Sequence, residues 1–176
     1  MDLSIIPECY IDTNLVETLV PPTKGYNHQK GCGTVTSVMK DKFKDSFAVG
    51  IIDKDKQQVD YLNEFTLINE FNNTLFLYKH NAKHHYIIQI SPALERFLIA
   101  GAASANISLA DYDLPLEFDR FKKISKSINS KEDPRFKKLI KSIIRAESPE
   151  FVKLSTWIRY LKDNNYKSEL KELTLL

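Results

Sequence analysis

Residues 47–52, FAVGII, are apolar without a break, and the run stops abruptly on Asp53-Lys54-Asp55-Lys56. A strand with one wet face alternates apolar and polar residues. A short continuous apolar run instead suits a strand covered on both faces, as in a parallel sheet. Parallel neighbours must be joined by crossovers, usually helical. This segment therefore points to an α/β layered domain before anything else is considered.

The rest of the chain agrees with that start. LSIIP (residues 3–7) reads as another short buried strand. Asp12 or Thr13 can cap a helix through NLVETLV, which Pro21-Pro22 stops. Residues 23–33 read as loop. Val35, Val38, Met39 and Phe43 then recur at helical spacing. Residues 59–71 are expected to be helix or loop. TLFLYKH and HHYIIQI, separated by NAK, predict two strands joined by a tight turn. Pro92 suits the first turn of a helix after Ser91. From residue 111 onward short helices are expected, broken near Pro115, Pro134 and Pro149. The expected architecture is a three-layer, Rossmann-like, mostly parallel sheet flanked by helices. Residues 1–110 would form the α/β domain and 111–176 a helical extension packed on it.

Net charge is only +2, so bulk charge singles out no polyanionic partner. The N-terminal MDLSIIPECY lacks a basic start and a long apolar stretch, so no signal peptide is expected. No apolar run reaches the roughly 18 residues of a membrane span, so no membrane partner is expected. Cys9 and Cys32 make no disulfide framework, and a reducing, cytoplasmic setting is the expected one.

Function in parallel α/β sheets gathers at the carboxyl ends of the strands. Glu8 follows the first strand, and Asp53 and Asp55 end the second. In an extended chain, residues i and i+2 point the same way, so the two aspartates share a side. Clustered carboxylates repel one another unless a cation sits among them. An all-oxygen set favours a hard ion, Mg²⁺ or Mn²⁺. Asp-Lys-Asp-Lys alone is also what a solvated loop looks like; acids at a second strand end are what raise the metal reading.

IIPECYIDTNLV resembles the first motif of the Toprim domain, a strand followed by Glu and then a helix that an acid opens. VGIIDKDK resembles its second motif, a strand ending in D-x-D, and the separation of about 45 residues also matches. Cys9 stands where that family usually has Gly. The resemblance covers roughly residues 3–100. It implies a Toprim-like nuclease of the standalone or OLD type, with Mg²⁺-dependent phosphodiester chemistry on DNA or RNA. On it, Glu8 is a metal ligand or general acid/base, Asp53 and Asp55 are the metal pair, and Asp12 matches the acid opening the first helix. ISPALERFL resembles a later segment of such nucleases, which would make Glu95 a further acid near the metal. Otherwise Glu95 is an exposed helix residue paired with Arg96 or a neighbour.

Lys54 and Lys56 either steady a phosphate beside the metal or offset the neighbouring acids. Residues 120–145 hold ten Lys/Arg against Glu132 and Asp133, on amphipathic helices. Lys137, Lys138 and Lys141 are the candidates there for a phosphate backbone. Gly31 and Gly33 are not part of a P-loop, and the His and Cys spacing fits no zinc pattern. Two alternatives stay open. One is a non-catalytic Toprim-like protein that binds nucleic acid or a protein partner. The other is a receiver-like doubly wound domain, which would need a lysine such as Lys79 at a later strand end.

Overall fold

The computed structural model describes residues 2–54 and 59–176. Asp55 and Lys56 lie outside the described residues. Among the described residues five strands form one sheet: β1 (Ile5–Pro7), β2 (Ala48–Asp53), β3 (Phe65–Phe71), β4 (Leu75–His80) and β5 (His85–Ile90), in the order β1-β2-β5-β4-β3. β1, β2 and β5 run parallel, while β4 and β3 are added antiparallel. The sheet is thus mixed: its parallel part carries the strand ends of interest, and the hairpins extend it on one side.

Residues 65–71 correct the expectation of helix or loop, because they form the edge strand β3. Asn72 and Asn73, at φ 52° and 54°, make the turn into β4. Asparagine tolerates this left-handed geometry better than most residues, and hairpin turns favour it.

The helices are α1 (Tyr10–Leu19), α2 (Cys32–Asp41), α3 (Leu94–Ser104), α4 (Phe118–Ser125), α5 (Pro134–Arg145), α6 (Pro149–Asn164) and α7 (Leu170–Leu175). Alternation along β2 explains the layering. Val49 and Ile51 face a large core shared with α1, α3, α5 and α6, while Ala48 and Ile52 face a smaller one with α2 and Tyr61. Both faces are covered, which is why the run was continuously apolar. A side chain at Gly50 would meet Met39 Sδ at 2.9 Å, so this glycine lets α2 lie close on the sheet.

Residues 111–176 share the larger core. Phe121, Phe136, Ile140, Trp157 and Leu161 are fully buried in the same cluster as Leu15, Val49 and Ile88. Asn14 on α1 donates to the carbonyls of Ser130 (2.8 Å) and Asp133 (3.2 Å), tying α1 to the start of α5. Among the described residues no helix is long and apolar enough to cross a membrane.

Candidate functional site

β1 and β2 are parallel neighbours, so their carboxyl ends open on one edge of the sheet. The Glu8 amide donates to the Ile51 carbonyl at 3.0 Å, which extends the ladder one residue past β1 and fixes where Glu8 stands. The Asp53 amide then donates to Glu8 Oε2 at 3.0 Å. Asp53 Oδ1 in turn accepts from the Leu94 amide at 2.9 Å. Leu94 opens α3, whose preceding residue, Ala93, has no side-chain acceptor. Asp53 therefore caps α3 from the neighbouring strand, where the helix dipole favours its charge.

Two more acids stand close. Asp12 lies inside α1 rather than capping it, and is 1% exposed. The Cys9 thiol donates to its Oδ2, and among the described residues its Oδ1 has no partner. Burial pushes the Asp12 carboxyl well above the usual range, and the charges of Asp53, Glu8 and Glu95 push it further, against the lowering effect of the Cys9 bond. Burial and the Asp12 charge likewise push the Cys9 thiol far up, so it is no thiolate nucleophile. Glu95 is buried, not surface-paired with Arg96; its Oε1 accepts from Ser125 Oγ on α4 at 2.9 Å.

Glu8, Asp53 and Glu95 line a cleft of about 430 Å³, and Lys30, Arg96, Lys122 and Lys126 line it too. None of these four cations makes an ion pair among the described residues. Phe118 holds two of them: Arg96 lies 4.5 Å and Lys122 Nζ 5.9 Å from its ring centre. Tyr10 and His28 also line the cleft, stacked at 4.3 Å and 21°. Burial lowers the pKa of His28. The Thr13 hydroxyl, which donates to the Cys9 carbonyl, lies 3.0 Å from His28 Nδ1.

The structure brings together Glu8, Asp53 and Glu95 in one cleft, and Asp12 is buried within reach of their charges but does not line it. Lys54 is exposed, with Nζ 3.5 Å from the Phe76 ring centre. Lys137, Lys138 and Lys141 are exposed on α5 and do not line the cleft. The cleft cations Lys30 and Arg96 carried no sequence signal. Lys122 and Lys126 lay within the basic segment, but only the way α4 packs against α3 distinguishes them from the other lysines. Among the described residues no group of three His, Cys, Asp or Glu side chains is arranged to hold a metal ion. Asp55, the second half of the D-x-D pair, lies outside the described residues. The chain matches no known family model, no curated protein and no solved structure.

Proposed function

We propose that this protein carries out metal-dependent phosphodiester hydrolysis on nucleic acid, as a Toprim-like nuclease. The observation that carries the reading is the junction of Glu8 and Asp53 at the carboxyl ends of adjacent parallel strands, in a cleft whose cations make no ion pair among the described residues. The donor chemistry fits a hard cation. The acids gathered here offer oxygen alone, and among the described residues the buried Asp12 Oδ1 has no hydrogen-bond partner. Glu8 and Asp53 would hold Mg²⁺ or Mn²⁺, joined by Asp55 and Glu95. Bound there, the ion would supply activation of a water and stabilisation of the leaving oxygen. The chain's own part is to hold Glu8 in register through the Ile51 carbonyl and to anchor Asp53 on α3. Arg96 and Lys122 stand by for charge developing on the phosphate.

A second reading is a binder that does not cut. The cap that Asp53 provides to α3 favours it, because that bond gives Asp53 a purely architectural use. The receiver-like alternative loses its lysine. Lys79 pairs with Tyr86 near the start of β5, whereas Asp53 pairs with Ile90 at its end, so Lys79 belongs to the opposite edge of the sheet. The discriminating experiment is a cleavage assay on single- and double-stranded DNA and RNA with Mg²⁺, Mn²⁺ or EDTA, using wild type and Glu8→Gln. Metal-dependent cutting that Glu8→Gln abolishes supports the nuclease. Metal-independent binding with no cutting supports the binder.

A further inference from the structure

We propose that the cleft takes a single nucleic-acid strand rather than a duplex, with phosphates against Arg96, Lys122 and Lys126 and a base against the stacked Tyr10–His28 pair. The inference rests on reading the cleft as a nucleic-acid site, and it adds which form of the polymer enters.

Three observations carry it. The first is size. The cleft holds about 430 Å³, and a neighbouring groove beside Ile128 and Lys131 holds about 760 Å³. Both fall in the range of about 300–1,000 Å³ found for small-ligand sites. That is room for a nucleotide or two and too little for both strands of a duplex. The second is continuity. Tyr10 and His28 line both cavities, so the stacked pair sits where one leads into the other. A strand passing from the acids to the second groove must cross these rings. The third is chemistry. Unpaired cations that follow a backbone, interleaved with aromatic faces, are what sequence-tolerant single-strand sites use. Here Phe118 keeps Arg96 and Lys122 in place, Tyr10 and His28 supply the stacking face, and Ile128, 65% exposed in the second groove, offers an apolar surface to a further base. Acids and cations in one cleft also set a polarity. A phosphate is repelled from Glu8 and Asp53 unless it lies on the cationic side.

The test is fluorescence anisotropy with the full chain in EDTA, so that binding is read without cutting. Labelled single-stranded DNA, single-stranded RNA and the matching duplexes are titrated at several salt concentrations. Single strands of one or both kinds should bind at least about ten-fold more tightly than either duplex. Lys122→Glu combined with Lys126→Glu should weaken single-strand binding by more than ten-fold. The slope of log affinity against log salt should flatten by about 0.7 per lost contact. Tyr10→Ala should weaken it on the order of ten-fold while Tyr10→Phe does not, as stacking requires. Circular dichroism melts check that each variant is folded; Lys122 on α4 is half-buried and Lys126, which caps the end of that helix, is exposed. Duplex binding equal to single-strand binding overturns the proposal, as does unchanged affinity in the folded lysine variant. Equally tight binding of polyglutamate overturns it in favour of an acidic protein partner. Tight single-strand binding by a protein that cuts nothing leaves this inference standing and removes the nuclease reading. Cutting of duplex with no single-strand preference does the reverse.

Discussion

The Asp53 amide donates to the Glu8 carboxylate at 3.0 Å, and the Asp53 carboxylate accepts from the first amide of α3 at 2.9 Å. One residue thus ties two strand ends and a helix together. Asp53→Asn keeps an oxygen acceptor for Leu94 but removes the charge, whereas Asp53→Ala removes both. In EDTA, Asp53→Asn should melt within a degree or two of wild type, and Asp53→Ala should lose about 1 kcal/mol, the usual worth of an N-terminal cap. Millimolar Mg²⁺ or Mn²⁺ should raise the wild-type melting temperature, since a ligand of the folded state stabilises it. Neither variant should show that rise. A wild type indifferent to both metals would remove the metal site.

Asp12 tests how much the acids cost one another. Its folded pKa is raised, chiefly by burial and then by Asp53, Glu8 and Glu95. A raised carboxyl pKa means that its contribution to stability is fully present below its unfolded value of 3.8 and is lost as pH rises through the folded value. At neutral pH the residue is therefore a liability. Asp12→Asn should raise the melting temperature by a few degrees at pH 7–8, and the gain should shrink towards pH 4. A loss of stability at pH 8 would contradict the burial argument.

The sheet's parallel half was legible because its signal is physical and local. FAVGII is apolar throughout because both faces of β2 are covered, and Glu8 follows β1 because the ladder runs one residue beyond Pro7. The edge strand was not legible. FTLINEF exposes Thr66, Leu67 and Glu70, so its pattern lacks a buried face, and the turn that pairs it depends on two asparagines accepting positive φ. Asp12 looked like a helix-opening residue because aspartate is a favoured N-terminal cap. Only the packing of α1 buries it. Ser125 as the partner of Glu95 joins two helices thirty residues apart, a contact that no spacing within either helix encodes.

Two histidines at the far end of the sheet set an opposite pH trend. Fully buried His85 accepts from Tyr61 Oη at Nδ1 (2.6 Å) and donates from Nε2 to the Phe43 carbonyl (2.9 Å). His80 bonds Glu64 at 3.0 Å and accepts the Ala82 and Lys83 amides. Burial is the main cause that lowers both pKa values, with the charge of Lys83 adding to it. A lowered base pKa gives stability that is present above the unfolded value of 6.5 and is lost as pH falls through the folded value. In the Asp12→Asn background, which removes the opposing carboxyl, the melting temperature should fall steadily below pH 6.5. His85→Asn, though less stable at pH 7.5, should show a flatter decline. Equal slopes would mean that His85 is not neutral in the fold.

Lys137, Lys138 and Lys141 are exposed on α5 and apart from the cleft lining. If they meet a phosphate backbone outside the cleft, changing all three to Gln should weaken binding of every sequence alike and flatten the salt slope. Because they do not line the cleft, the cleavage rate at saturating substrate should not change. A lower saturated rate would place them at the chemistry instead.

Glu95 and Ser125 separate a ligand from a strut. Ser125 is fully buried; its hydroxyl donates to Glu95 Oε1 at 2.9 Å, and its carbonyl accepts from Ser130 Oγ at 2.6 Å. Ser125→Ala leaves the carboxylate short of a partner in a buried place and should cost about 1–3 kcal/mol. It also removes the polar tie between α3 and α4, on which Arg96 and Lys122 are carried. Glu95→Gln keeps an oxygen that can accept from Ser125 and loses only the charge. If Glu95 helps to hold the ion, Glu95→Gln should leave the EDTA melt near wild type and lower the affinity for Mn²⁺ by about ten-fold or more, as loss of a charged ligand does. If Glu95 is only a strut, Glu95→Gln should bind Mn²⁺ as wild type does, and Ser125→Ala alone should register, in the melt. Isothermal titration of Mn²⁺ into the three proteins, beside their melts, separates the two roles.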